Sequence, residues 1–199
     1  MHETIGFFGG SFDPVHFGHI NFAVETYERK KIDKILFCPA YVSPFKKGKN
    51  PVEGRHRLEM LRLALEEIPF CSISALELER KGVSYTIDTL KILQQQYPKG
   101  TRFRLLLAED LAKDFYKWKE AEELAALAPP IIGMRQTAEE PDLSLFSLKL
   151  KKIIQESYCK IFNMDISSTR IRKRLRQDLY CGHLVPAKVL DYIHKYRLY

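Results

Sequence analysis

The sequence predicts an α/β fold, with a mainly parallel sheet, helices on both of its faces and a C-terminal helical portion, in a single domain spanning residues 1–199. Three observations lead there. Short β-branched or aromatic runs alternate along the chain with helical patterns, which is how a parallel sheet with crossover helices reads. The chain has 199 residues, 45% of them apolar and 29% charged, the size and balance of one soluble globular domain with a real core. The string from Gly9 to His19, GGSFDPVHFGH, places small residues where a strand end meets a helix start, and open α/β sheets bind phosphates at such junctions. No low-complexity segment and no internal repeat interrupts the pattern.

Ile5–Phe8 is the first strand, and the helix beyond the glycine-rich string is Ile20–Lys30. Lys34–Cys38 is the second strand. The lysine-rich stretch 40–50 (AYVSPFKKGKN) lies past that strand's C-terminal end and reads as a lid over the ligand crevice. Glu53–Glu67 is a helix with Pro51 and Glu53 near its first turn and Leu58, Leu61, Ala64 and Leu65 as its apolar stripe. Then follow strand Phe70–Ile73, helix Ile87–Gln96, strand Phe103–Leu107, helix Lys119–Leu127 and strand Pro130–Met134. A polar connection, 135–142, leads to helix Ser144–Glu156, strand Lys160–Phe162, and helices Ser168–Gln177 and Pro186–Tyr196.

Two segments carry chemistry. In the first, glycines let the backbone approach an anion, and His16 and His19, three apart, share one helical face on which both imidazoles reach the same anionic group. In the second, Ile166-Ser167-Ser168-Thr169-Arg170-Ile171-Arg172 sets three hydroxyls before an amphipathic basic helix. Ser167 or Ser168 is its natural cap, and hydroxyls, free N–H groups and the positive end of the helix dipole together make an anion site. Two other phosphate signatures are absent: there is no G-x-x-x-x-G-K-[ST], and Gly6, Gly9 and Gly10 do not space as G-x-G-x-x-G.

The first string resembles the (H/T)xGH signature of the nucleotidyltransferase superfamily, in the form GGSFDPxHxGH of bacterial nicotinate-nucleotide adenylyltransferases. The second resembles that family's ISSTxIR motif without a mismatch. The likeness continues through Glu53–Leu61, through Ser84-Tyr85-Thr86 with Asp88-Thr89-Leu90, and through Lys117-Trp118. It implies a Rossmann-like domain that transfers AMP from ATP to nicotinate mononucleotide, giving deamido-NAD and pyrophosphate. By that resemblance Gly9, Gly10, Ser11, Phe12, His16 and His19 form one side of the ATP site. Ser167, Ser168, Thr169 and Arg172 hold the triphosphate, and the backbone near Ile166 reads the adenine. Lys46 closes from the lid and Asp110 binds the adenylate ribose. Tyr85 and Thr86 meet the nicotinate ring and carboxylate, and Trp118 lies against the pyridine ring. His16, His19 and Arg172 carry catalysis. Magnesium is expected on the ATP phosphates, with no metal ligand assigned to the protein, and Asp13 reads as turn-forming.

The chain departs from the family pattern in places. The lid, usually PNxxPPHK, has Ala40, Ser43 and Phe45 where Asn, Pro and His are expected, and keeps Lys46. Ala108-Glu109-Asp110 replaces G-x-D, and Arg135-Gln136-Thr137 replaces R-P-G. Loss of the Asn and His removes two polar contacts to substrate phosphates. The same chemistry on nicotinamide mononucleotide or phosphopantetheine therefore stays open, as does a degenerate homologue that binds nucleotide or nucleic acid without turnover.

The net charge of +7 is uneven: from Lys149 onward there are 12 Lys and Arg against 4 Asp and Glu, leaving 20 against 21 before it. A polyanion held by the C-terminal elements accounts for such an excess; a solvated basic face does too. The aromatic platform of an RNA-binding surface is not evident, so nucleic acid is disfavoured as a partner. No apolar run approaches the roughly 20 residues of a membrane span, and the opening strand leaves no room for a signal peptide. The four cysteines form no C-x-x-C pair, which suits a reducing cytoplasm. A homo-oligomer is an expectation at family level only.

Overall fold

The computed structural model describes residues 2–45, 51–134, 142–162 and 164–199. Six parallel strands form one sheet in the order β3-β2-β1-β4-β5-β6, where β1 is Thr4–Gly10, β2 Lys34–Pro39, β3 Cys71–Ile73, β4 Arg102–Ala108, β5 Pro130–Met134 and β6 Tyr158–Lys160. The helices are α1 (Phe17–Lys30), α2 (Gly54–Leu65), α3 (Leu76–Arg80), α4 (Thr86–Gln96), α5 (Glu109–Ala112), α6 (Ala121–Leu127), α7 (Leu148–Gln155), α8 (Ser168–Leu175) and α9 (Ala187–Tyr196). A 3-10 turn, Phe115–Lys117, joins α5 to α6.

The strands are apolar on both sides, as a sheet covered on both faces requires. Ile5, Phe7, Leu36, Cys38, Phe103, Leu105, Leu107 and Ile132 point into one core, closed by α4, α6 and α7. Phe8, Ile35, Phe37, Leu106 and Ile131 point into the other, closed by α1, α2, α8 and α9. Gly133 is a packing requirement, because a Cβ there would lie 2.6 Å from the Phe22 ring and 2.7 Å from Ile161.

All six expected strands form, with one shift. The last pairs Tyr158, Cys159 and Lys160 with Ile132, Gly133 and Met134, two residues before the expected run; Ile161 is buried just beyond the ladder, and its apolar character displaced the expected boundary. α1 begins at Phe17 rather than Ile20 because His16, in extended conformation, is its N-cap. α7 begins at Leu148, where the Ser147 hydroxyl accepts the Leu150 N–H. The short α3, α5 and 3-10 turn were not expected, being too brief to show periodicity.

From β1 the chain first builds outward through β2 and β3, then crosses back to lay β4 on the other side of β1. The strand order reverses between β1 and β4, so the crevice beyond their C-terminal ends is the fold's binding position.

Candidate active site

Gly9 and Gly10 end β1, and the chain turns through Ser11–Val15 into α1. Phe12 adopts a left-handed backbone with φ 46° and is only 1% exposed. Its ring folds back beneath the loop against Phe8 and Phe37, each 5.4 Å away between centroids. A Cβ on Gly10 would sit 2.9 Å from that ring, so this glycine makes room for Phe12. The Phe12 side chain belongs to the core, and the residue as a whole is buried.

His16 and His19 come together as the spacing requires, their rings stacked at 3.7 Å and 25°. Phe12 meets His19 edge-on at 5.0 Å. A Cβ at Gly18 would press on the His16 ring at 3.1 Å, which explains the glycine between the histidines. The His16 N–H donates to His19 Nδ1 at 3.3 Å. A neutral His19 accepting there carries its proton on Nε2. Burial pushes the His16 imidazole down to about 4, so it is uncharged at neutral pH, and its Nδ1 has no hydrogen-bond partner among the described residues.

The two motifs, about 150 residues apart in sequence, meet directly. Ser167 caps α8 by accepting the Arg170 N–H at 3.2 Å. The next hydroxyl, on Ser168, donates to the Pro14 carbonyl at 2.9 Å. Arg172 Nη1 donates to the Asp13 carbonyl at 2.6 Å, and its Nη2 to Thr169 Oγ1 at 3.2 Å. Ile171 is buried and anchors α8 on the sheet, whereas Arg170, Lys173 and Arg176 are exposed. The helix N-terminus thus faces the β1–α1 loop, adding its N–H groups and dipole to those of α1.

Sequence reasoning gave no role to Arg57, which is 2% exposed on α2. Its guanidinium donates to three carbonyls: Ser11 at 2.9 Å, Ala40 at 2.7 Å and Val52 at 2.8 Å. One side chain therefore ties the β1–α1 loop to Ala40 and Val52. A signal was present: Arg57 is in phase with Leu61 and Leu65, at i, i+4 and i+8, on a helix whose buried residues are Arg57, Met60, Leu61 and Leu65. Asp13 is 7% exposed, and its Oδ1 accepts from Tyr199 Oη at 2.7 Å and from the Val52 N–H at 3.4 Å. It braces the loop, in keeping with its reading as a turn residue.

On the other side of the crevice, Tyr85 caps α4 and Thr86 is its first residue. The segment is tied to the lid's first residues: Tyr41 N–H donates to Ser84 Oγ at 2.9 Å, and Val42 pairs with Val83. Trp118 follows the 3-10 turn, half-buried, against Phe115 at 5.3 Å and Phe45 at 5.6 Å. Asp110 is exposed in α5 just beyond β4. Lys46, and the stretch beginning Arg135-Gln136-Thr137, lie outside the described residues.

Comparison with known proteins agrees with this arrangement. The model of the cytidylyltransferase-like family matches residues 7–174. The probable nicotinate-nucleotide adenylyltransferase of Clostridium perfringens (strain 13 / Type A) is 35% identical over 203 aligned residues, covering 99% of this chain and 98% of the relative. The chain belongs to the nicotinate-nucleotide adenylyltransferase family. The Bacillus subtilis (strain 168) nicotinate-nucleotide adenylyltransferase is 33% identical, with 99% and 98% covered. Among solved structures, the Plasmodium falciparum nicotinic acid mononucleotide adenylyltransferase complexed with NaAD superposes with a TM-score of 0.77 at 24% identity, covering 99% of this chain and 97% of that one. Its complex with APC gives 0.78 at 22% identity, with the same coverage. At these identities the superpositions establish the Rossmann-like fold.

The β1–α1 loop and the N-terminus of α8 are in direct contact, and the segment before α4 is tied to Tyr41 and Val42. Ala40, one of the departures, makes no side-chain polar contact, yet its carbonyl is held by Arg57 and its N–H by Gly10. Backbone hydrogen bonds fix that position whatever its side chain. Phe45, where the family pattern has His, packs on Trp118.

Proposed function

We propose that this member of the family transfers AMP from ATP to nicotinate mononucleotide, releasing pyrophosphate and forming deamido-NAD. The observation that carries this reading is the docking of α8 on the β1–α1 loop through Ser168 to Pro14 and Arg172 to Asp13. The two motifs become the two jaws of one triphosphate site, and full-length likeness to proteins named for this activity supports the acceptor.

The chemistry needs no general base. A phosphomonoester, whose second pKa is near 6, is already a dianion at neutral pH. One of its oxygens attacks the α-phosphorus, a new P–O bond forms, and the bond to the β-phosphate oxygen breaks, the electron pair leaving with pyrophosphate. What remains for the protein is to hold two anions in line and stabilise charge on the leaving group.

His19 is suited to that second task because, with Nδ1 accepting from the backbone, its other ring nitrogen carries the donor. A neutral His16 stacked on it adds a second imidazole without adding a charge. Ser167, Thr169 and Arg172 take the far phosphates, while Gly9, Gly10 and Ser11 line the near side. The backbone near Ile166 takes the adenine, Asp110 the ribose and Lys46 the triphosphate from the lid. Tyr85, Thr86 and Trp118 take the nicotinate, the indole offering a flat apolar face to a flat ring.

Magnesium fits as a passenger of the triphosphate. Among the described residues no group of three or more His, Cys, Asp or Glu side chains gathers as a metal site, and the Asp13 carboxylate is engaged by Tyr199 and Val52. Carried on the phosphates, it would neutralise charge on the leaving pyrophosphate.

Pyrophosphate release from ATP, measured separately with nicotinate mononucleotide, nicotinamide mononucleotide and phosphopantetheine, tests the reading. Turnover is expected with the first at a kcat/KM at least tenfold above the others, about 1.4 kcal/mol of discrimination. Preference for either of the others refutes the acceptor, and silence with all three refutes adenylyl transfer.

A further inference from the structure

A carboxylate in the middle of a loop that binds polyphosphate poses an electrostatic problem. Asp13 sits between Pro14, whose carbonyl Ser168 holds, and Phe12 at the turn of the loop. Left to itself the carboxylate would repel a triphosphate, and it would also draw the nearest guanidinium into a two-point ion pair, the strongest arrangement open to it. That guanidinium belongs to Arg172, whose Nη1 makes an ion pair with Asp13 Oδ2 at 3.8 Å, longer than a hydrogen bond. The same Nη1 donates instead to the Asp13 backbone carbonyl at 2.6 Å.

What occupies the carboxylate is Tyr199, whose phenol donates to Oδ1 at 2.7 Å. The fold brings it there deliberately: Arg197 adopts a left-handed conformation after α9, with φ 48° and ψ 52°, and the Leu198 N–H returns to the Ile193 carbonyl at 3.2 Å. The reversal lays Leu198 and Tyr199 against the core that α2, α8 and α9 close. Burial and the neighbouring Asp13 carboxylate hold the phenol far above its ordinary value, so it stays a donor at any working pH. Arg57, close enough to Asp13 to interact electrostatically, donates to carbonyls alone in its three hydrogen bonds. Two arginines against one carboxylate leave the loop with a net positive charge.

We propose that Tyr199 is a positioning residue for ATP: by holding Asp13 Oδ1 it keeps the Asp13–Arg172 ion pair a loose contact through Oδ2 at 3.8 Å, short of a two-point hydrogen-bonded pair, and leaves the Arg172 guanidinium on the loop backbone, available to the triphosphate. The proposal rests on the adenylyl-transfer reading only in taking ATP as the ligand. Tyr199 touches no reacting atom and acts entirely through Asp13.

The test is a double-mutant cycle with Tyr199→Phe, which removes one oxygen and keeps the ring, and Asp13→Asn, which removes the charge that would capture Arg172. Binding of a non-hydrolysable ATP analogue is followed by calorimetry, and the KM values of ATP and nicotinate mononucleotide by steady-state assay. Tyr199→Phe should weaken analogue binding about tenfold and raise the ATP KM similarly, since one charge-assisted contact is diverted. The KM of nicotinate mononucleotide should stay within about twofold, because a variant that was merely less folded would lower kcat and move neither KM. In the Asp13→Asn background the same change should cost less than about threefold. The proposal is overturned if Tyr199→Phe binds the analogue within about threefold of wild type, or if its loss is the same in both backgrounds. A fall in thermal midpoint beyond about 8 °C also overturns it, by making the residue's role structural. Failure of the wild type to turn over nicotinate mononucleotide would refute the acceptor reading and leave this binding comparison to decide separately.

Discussion

Replacing Arg57 by methionine keeps the length of the side chain and removes all its donors. Three bonds disappear: to Val52 at 2.8 Å, to Ser11 at 2.9 Å and to Ala40 at 2.7 Å. Hydrogen bonds from a charged group contribute about 1.5 kcal/mol each at the low end, so their loss costs about 4 to 5 kcal/mol. Methionine recovers part of this, because its apolar end is buried where a guanidinium was desolvated, an offset of about 1 to 2 kcal/mol. The net loss is about 3 kcal/mol, a fall in thermal midpoint of about 6 to 12 °C for a chain of this size. Arg57→Lys keeps the charge but not the fork, and should lose about half as much. Urea unfolding at pH 7 measures both. The kinetic consequence is separable: with Ser11 untied, kcat should fall in Arg57→Met even at temperatures where the variant is fully folded. A loss below about 1 kcal/mol, or a lysine variant no better than methionine, would refute the view that this guanidinium fixes the loop through geometry.

Other consequences follow from the same geometry. The folded His16 imidazole titrates near 4, against 6.5 when exposed; as pH falls the unfolded state takes the proton first, so stability present above pH 6.5 drains away down to pH 4. At 1.36 kcal/mol per pKa unit the loss is about 3 kcal/mol, and urea midpoints measured across that window should fall more steeply for wild type than for His16→Asn; parallel profiles would contradict it. Ser168→Ala, which loses the bond to Pro14, should raise the ATP KM while leaving that of nicotinate mononucleotide unchanged, as steady-state kinetics will report. Gly18→Ala would press a methyl on the His16 ring, and should lower kcat by about tenfold or more through displacement of the histidine pair.

Much of the fold was legible because its signals are local and repeated. The four central strands, β1, β2, β4 and β5, carry short apolar runs, and two cores on the two faces of one sheet explain why those runs are continuous rather than alternating. The glycine string and the hydroxyl-capped basic helix were legible for a similar reason, since an anion site at a helix N-terminus needs particular residue types in adjacent positions. What escaped notice acts at long range. Arg57 stands on an apolar stripe, where its charge marks it, but nothing nearby reveals the three carbonyls it serves. Tyr199 reaches Asp13 across 186 residues, and only a left-handed turn at Arg197 directs it there. The start of α1 was misplaced because His16 serves as its cap, a role its residue type does not advertise. Arg172 was legible as a cation near phosphate, though not as a donor that holds the opposite jaw's backbone.

The central claim is that the β1–α1 histidines stabilise charge on a leaving pyrophosphate within a clamp completed by α8. Single-turnover release of pyrophosphate by His19→Ala, with ATP and nicotinate mononucleotide both saturating, tests it most directly. The expected rate is lower by about 100-fold to 1,000-fold or more, with a thermal midpoint within a few degrees of wild type. A folded variant that releases pyrophosphate within about tenfold of the wild-type rate would contradict it.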